Sequence, residues 1–296
     1  MERIKKAKLA DACMTAVFCC VAGAFLLLLL VFASYVILRG FLGASPEMFT
    51  FTRKGMMNQL FNTVYLVFLS LLISAPLGIG AGICLSEYTR GGKLSELIRM
   101  CIETLSSLPS IVVGLFGYLV FILMTGFKWN LLAGALAVSI LCLPLITSTT
   151  CDAMRNLPDA YRAGGMGLGA TKWQTVSHIL LPACLPRIFT GMILAAGRGF
   201  GEAAALLYTA GMSTDLNWSN WNLLSPTCPL NPMRPGETLS LYIWSSFTES
   251  TAANAQKAAN LSAAILMLLV LVFNLLVRKL SQHIDRKSLG ETVCSK

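Results

Sequence analysis

The chain has 296 residues, 55% hydrophobic and only 12% charged, with a mean hydropathy of +0.69. Soluble domains carry about 25% charged residues, so this composition excludes an ordinary aqueous globule and points to lipid as the solvent. The net charge of +9 lies between apolar runs without basic–aromatic interleaving, which argues against nucleic-acid binding and for membrane orientation.

A helix needs about 20 apolar residues to cross a hydrocarbon core of about 30 Å. Six runs qualify: 13–38, 63–85, 108–125, 131–151, 183–210 and 259–277. Open strands would leave backbone groups unpaired in lipid, so the expected fold is all-α, a polytopic membrane protein with six transmembrane helices. The first run follows "MERIKKAK", exceeds a signal-peptide core and has no A-x-A site, so it reads as a retained helix. The organisation expected is a first helix and loop over 1–60, one helical membrane domain over 61–280 and a tail over 281–296.

Lysine and arginine set the orientation. Sixteen of the 23 fall on one side: Arg3, Lys5, Lys6, Lys8, Arg90, Lys93, Arg99, Arg155, Arg162, Lys172, Arg187, Arg278, Lys279, Arg286, Lys287 and Lys296. Arg39, Arg53, Lys54, Lys128, Arg234 and Lys257 fall on the other. Both termini are therefore expected in the cytoplasm.

Gly78 with Gly82, and Gly197 with Gly201, have the spacing that lets helices pack closely. Of ten cysteines, Cys13, Cys19, Cys20, Cys84 and Cys142 lie in apolar runs and read as small buried hydrophobes. Cys228 lies alone in an outer loop. No spacing suggests a metal site, and the lone His178 and His283 suggest neither metal nor catalysis.

The stretch "PDAYRAGGMGLGATKWQTVSHILLP" over 158–182 interrupts the apolar pattern. Its "GGMGLGATK" lacks the glycine–lysine–hydroxyl order of a phosphate loop, so the chain is expected to hydrolyse no nucleotide itself. Pro158 and Asp159 suit a helix start, and Gly169 suits the residue after a helix end. Thr171 and Gln174 form a capping box for a second short helix. Trp173, Val176 and Leu180 are expected on one face of it, with Pro182 ending it. Two short helices around a glycine corner suit a plug for a groove on a soluble partner.

This stretch resembles the loop of ABC importer permeases with the pattern E-A-A-x3-G-x9-I-x-L-P. Ala163, Gly164 and Gly165 stand at E-A-A, Gly169 at G, and Ile179 to Pro182 at I-x-L-P. Each glycine costs a helix about 1 kcal/mol relative to alanine, so the first short helix is expected to be ordered mainly by its partner. The resemblance implies a type I importer fold with coupling helices over 152–182, docking Ala163, Gly164, Gly165, Gly169, Thr171, Trp173, Ile179 and Pro182 against an ATPase.

"NTVYLVFLSLLISAPLGIGAGICLSEYTRGGK", "SSLPSIVVGLFGYLVF", "GRGFGEAAALLYTAG" and "ETLSLYIWSSFTES" are similar to PstA-type permeases of bacterial phosphate importers. That resemblance implies a multi-pass protein of the bacterial inner membrane. Its expected partners are a PstC-like second permease, two copies of a PstB-like ATPase and an external PstS-like phosphate-binding protein. It implies a transport subunit and not an enzyme, with no cofactor on this chain and ATP and Mg on the ATPase. Sulfate or molybdate is the rival substrate, and a stand-alone secondary transporter the rival class.

Arg198 and Glu202 fall inside the fifth run, where a charge costs about 2.5–3.5 kcal/mol. Their i, i+4 spacing places them on one face, either as a neutralising pair or as the lining of a substrate path. Glu87 and Tyr88 read as caps of the second run. The external segment 211–257 is the longest soluble piece. Within it "LSLYIWSSF" reads as a short helix along the outer surface, part of a docking face for the binding protein rather than a plain linker.

Overall fold

The computed structural model describes residues 2–293 apart from 53, 54, 90, 91, 214, 224 and 249–252. Arg53, Lys54, Arg90, Lys296 and Cys294 lie outside the described residues, as do the side chains of Lys5, His283, Arg286 and Lys287. The described residues are helical and contain no strand. Five helices are long and apolar enough to cross a membrane, or six if one bent pair counts as a span.

Helix α1 (Glu2–Leu42) is apolar on all sides, and none of its most apolar stretch is buried within the chain. Among the described residues its main packing partner is α11 (Ala253–Val293). Between the two, Gly40 approaches so closely that a Cβ there would lie 2.5 Å from Ala264 Cβ.

Helix α2 (Met57–Ile83) runs through a π-type turn at Cys84–Tyr88 and packs along α5 (Leu131–Arg155). Gly78 and Gly82 make this possible: a Cβ would lie 2.8 Å from Ile146 Cγ2 at the first and 2.6 Å from Thr150 Cβ at the second. Around the contact, Leu66, Val138, Cys142, Ile146, Ala195 and Leu206 form the largest buried cluster. Gly197 and Gly201 behave differently from the expectation, because nothing lies within 4 Å of a Cβ at either. They border an open apolar cleft of 470 Å³.

The third span is also different. Helix α3 (Lys93–Ser107) meets α4 (Ser110–Tyr118, extended by a π-type turn to Leu123) at 97°. Pro109 explains the break: the residue before proline is pushed out of the helical region, and Leu108 has ψ 133°. The arm from Ser110 to Leu123 is about 21 Å long at 1.5 Å per residue, short of a full crossing.

Helix α5 starts from Asn130, whose Oδ1 accepts from Ala133 N at 2.7 Å. After α5 come α6 (Asp159–Gly167) and α7 (Lys172–Thr175), the latter running through a π-type turn (Val176–Leu180) into α8 (Leu181–Gly201). Pro182 thus does not end a helix: Lys172–Gly201 is one element, and the widened turn absorbs the amide that proline lacks. The fifth run breaks instead at Glu202, with ψ 123°, before α9 (Ala204–Thr209). Helix α10 (Leu239–Thr248) packs against α2 and α11 rather than lying over the bundle, and its Leu239 and Leu241 are fully buried.

Candidate functional site

The 158–182 segment folds as a corner. Pro158 is the N-cap of α6, with Asp159 its first residue. At the other end Gly169 has φ +81°, Gly169 N donates to Met166 O at 3.0 Å and Ala170 N to Gly165 O at 3.2 Å. This pairing satisfies the last carbonyls of a helix that ends in a left-handed glycine. Thr171 and Gln174 form the reciprocal capping box, Thr171 N donating to Gln174 Oε1 at 2.8 Å and Gln174 N to Thr171 Oγ1 at 3.3 Å.

Gly165 is fitted to its site, since a Cβ there would lie 2.9 Å from both Thr175 Cγ2 and Ile179 Cδ1. Gly164 faces open space, and Ala163 and Pro182 are exposed. Trp173 does not share a face with Val176 and Leu180: it is 60% exposed, whereas they are buried. Tyr161, Met166 and Leu168 are exposed with it, so the corner presents four large apolar side chains outward.

The first short helix is held within the chain, contrary to the expectation that a partner orders it. Arg162 Nη2 donates to Glu87 Oε1 at 2.8 Å and to Met154 O at 2.7 Å. Its Nε donates to Glu87 Oε1 at 3.2 Å, and its Nη1 to Leu157 O at 3.1 Å and Asp159 Oδ1 at 3.2 Å. From the second arm, Lys172 Nζ donates to Glu87 O at 2.6 Å and sits 4.7 Å from the centre of the Tyr88 ring. Glu87 and Arg162 are both buried. The hydrogen bond that Arg162 donates to Glu87, helped by the carboxylate's charge, outweighs desolvation and holds the guanidinium above its usual pKa. Glu87 and Tyr88 are therefore more than caps. Together with Arg162, Lys172 and Met166 they line a cleft of 390 Å³ between the corner and the end of α2.

Arg198 and Glu202 are near neighbours in sequence but do not pair. Glu202 has left the helix, and its Oε1 accepts from Ala205 N at 3.1 Å, capping α9. Its carbonyl accepts from Ser240 Oγ at 2.6 Å. Among the described residues, no hydrogen bond or ion pair engages the half-buried Arg198 guanidinium.

At the far end of α2, Asn58, Gln59, Asn62 and Thr63 are buried polar residues on one face. Asn62 Nδ2 donates to Glu237 O at 2.9 Å, and Arg234 Nη2 to Asn62 Oδ1 at 2.7 Å. Leu239 N donates to Thr63 Oγ1 at 2.9 Å and Trp218 Nε1 to Asn58 Oδ1 at 3.1 Å. Arg234 is 2% exposed, with Pro229 and Pro235 carbonyls on its other donors, and burial lowers its pKa to about 10. This knot was not expected. Its signal was polar residues at i, i+1, i+4 and i+5 at the start of an apolar run. Cys228 in the same loop is buried and free, whereas Cys13, Cys19, Cys20 and Cys84 are exposed on the chain surface rather than buried. No metal-binding cluster occurs among the described residues.

A family model for the binding-protein-dependent transport system inner membrane component matches residues 74–289. The chain belongs to that family. It is 42% identical to a probable ABC transporter permease protein, YqgI, of Bacillus subtilis (strain 168), over 95% of this chain and 98% of that one. It is 32% identical to the phosphate transport system permease protein PstA of Xylella fastidiosa (strain 9a5c), over 83% of each. In fold it is similar to a chain of the inward-facing MetNI methionine ABC transporter, with a TM-score of 0.59 at 17% identity, covering 81% of this chain and 99% of that one. This inner membrane component is therefore a multi-pass ABC importer permease subunit, a transport component and not itself an enzyme.

Proposed function

We propose that this permease is one half of the membrane pathway of an ATP-driven inorganic phosphate importer of the bacterial inner membrane, with both termini in the cytoplasm. The observation that carries the phosphate reading is Arg198, a half-buried guanidinium without a partner among the described residues of its own chain. An unpaired charge in a span is costly and calls for an anionic visitor or a polar neighbour. A guanidinium offers two parallel donors to a phosphate oxyanion. Glu202 is engaged with α9, which leaves Arg198 free for that contact. Similarity to a phosphate transport permease supports the same substrate.

A PstC-like second permease supplies the other half of the pathway. Two PstB-like ATPase subunits, which bind the ATP and Mg, grip the exposed corner, and a PstS-like binding protein delivers phosphate to the 211–238 face. Ala163, Gly164, Gly165, Gly169, Thr171, Trp173, Ile179 and Pro182 build or present the corner. ATP-driven closure of the ATPases pushes the corner and rocks the spans, opening the path outward. Phosphate passes Arg198, and hydrolysis resets the bundle.

The test is ATP-dependent uptake of labelled phosphate into proteoliposomes holding the four-component complex, with sulfate and molybdate as competitors. Uptake that needs ATP and resists both competitors supports the reading. Preferential uptake of either competitor overturns the substrate, and uptake without ATPase subunits overturns the class.

A further inference from the structure

Helix α2 is gripped at both ends by the segments that face the two sides of the bundle. Both arms of the corner converge on Glu87, Arg162 of α6 on its carboxylate and Lys172 of α7 on its carbonyl. About 38 Å away along the helix, at 1.5 Å per residue, Asn62 bridges Arg234 and the Glu237 carbonyl of the opposite loop. Between these clamps Gly78 and Gly82 bring α2 against α5 with no room for a side chain, so the two helices are closely packed along this stretch.

We propose that α2 is the tie that carries a displacement of the corner to the 211–238 loop, with Glu87 as the positioning residue at one end and Asn62 at the other. This rests on the permease reading above and deepens it. A competing route exists. The corner continues directly into α8, and the residue after α8, Glu202, meets the loop side through its carbonyl and Ser240 Oγ. That route joins at the helix break after Gly201 and contains Pro182 and Pro186, each of which removes a helix hydrogen bond and allows bending. Helix α2 contains one proline, Pro76, next to the stretch that Gly78 and Gly82 hold against α5. The α2 route ends in several buried hydrogen bonds on one helix face. Contiguity of this kind makes coupling possible, and only a response at the far end demonstrates it.

The reporter is Leu223→Cys, at a loop residue 61% exposed. The assembled complex in nanodiscs is labelled with a maleimide, with and without ATP, Mg and vanadate, and labelling is read at that peptide by mass spectrometry. The unaltered tie should give a nucleotide-dependent change in rate of roughly five-fold. Glu87→Ala and Lys172→Met should abolish most of that change while the ATPase still copurifies and hydrolyses ATP. Glu87→Gln, which keeps an acceptor for Arg162, should retain it. Should Glu87→Ala fail to accumulate, Lys172→Met decides, since it strands no buried charge.

A full response in Lys172→Met and Glu87→Ala would overturn the proposal and assign the movement to α8. Loss of ATPase binding in the variants would also overturn it, making the clamp a docking device. Failure of the underlying permease reading looks different: no ATPase would copurify with the reporter chain carrying no further substitution.

Discussion

Arg162 Nη2 meets Glu87 Oε1 at 2.8 Å across 75 residues of sequence, with both side chains withdrawn from solvent. Removing one member of a buried pair strands the other and costs about 3–5 kcal/mol, whereas removing both costs much less. Arg162→Met should therefore lower the melting temperature of the solubilised chain more than Arg162→Met combined with Glu87→Gln. A double variant at least as unstable as the single would show that the backbone bonds of Arg162, and not its ion pair, hold the corner.

The two adjacent glycines of the corner should respond oppositely. Gly164 faces open space, so Gly164→Ala should stabilise α6 by up to about 1 kcal/mol through helix propensity. Gly165→Ala must displace Thr175 or Ile179 and should destabilise by about 1–3 kcal/mol, the usual cost of overpacking. Hydrogen exchange of the 159–168 amides measures both; slower exchange in Gly165→Ala would contradict the close approach.

Arg198→Ala should reduce phosphate uptake about ten- to hundred-fold, since charge-assisted anion contacts are worth about 1.5–3 kcal/mol. Assembly of the complex should be unchanged, because Arg198 makes no hydrogen bond or ion pair among the described residues of its own chain. Arg198→Lys should recover part of the uptake, as a point charge lacks the two-donor fork. Wild-type uptake in Arg198→Ala removes this residue from the pathway.

Arg234 is a buried cation bonded to carbonyls and an amide oxygen. Arg234→Met should free the 211–238 loop, seen as faster proteolysis there, at a cost of about 1–3 kcal/mol for the acceptors left bare. Burial lowers its pKa from the usual guanidinium value to about 10. The folded state thus binds its proton less tightly than the unfolded chain, and its contribution to stability rises with pH between those values. Below about pH 9 the group stays charged, so loop protection should not vary between pH 6 and 8; a change there would implicate another group.

What was legible in the sequence was local. Thr171 and Gln174, and Gly169, announce their cap and turn because the partners lie within five residues. The long apolar runs announce the spans for the same reason. The Glu87–Arg162 clamp was hidden because Arg162 looked like one more orienting charge, and its partner stands beyond an intervening pair of spans. The break at Glu202 was hidden too. "GEAAALL" reads as helix, and only the carboxylate cap on Ala205 and the distant Ser240 hydroxyl make the interruption affordable. Pro182 misled in the opposite sense, because a π-type turn accommodates what usually stops a helix.

The right-angled junction at Leu108 and Pro109 has a consequence for the surrounding lipid. With one arm only about 21 Å long against a hydrocarbon core of about 30 Å, the bilayer beside α4 must thin or admit headgroups to meet it. Transport should therefore depend on acyl-chain length, faring better in short-chain phospholipid than in long.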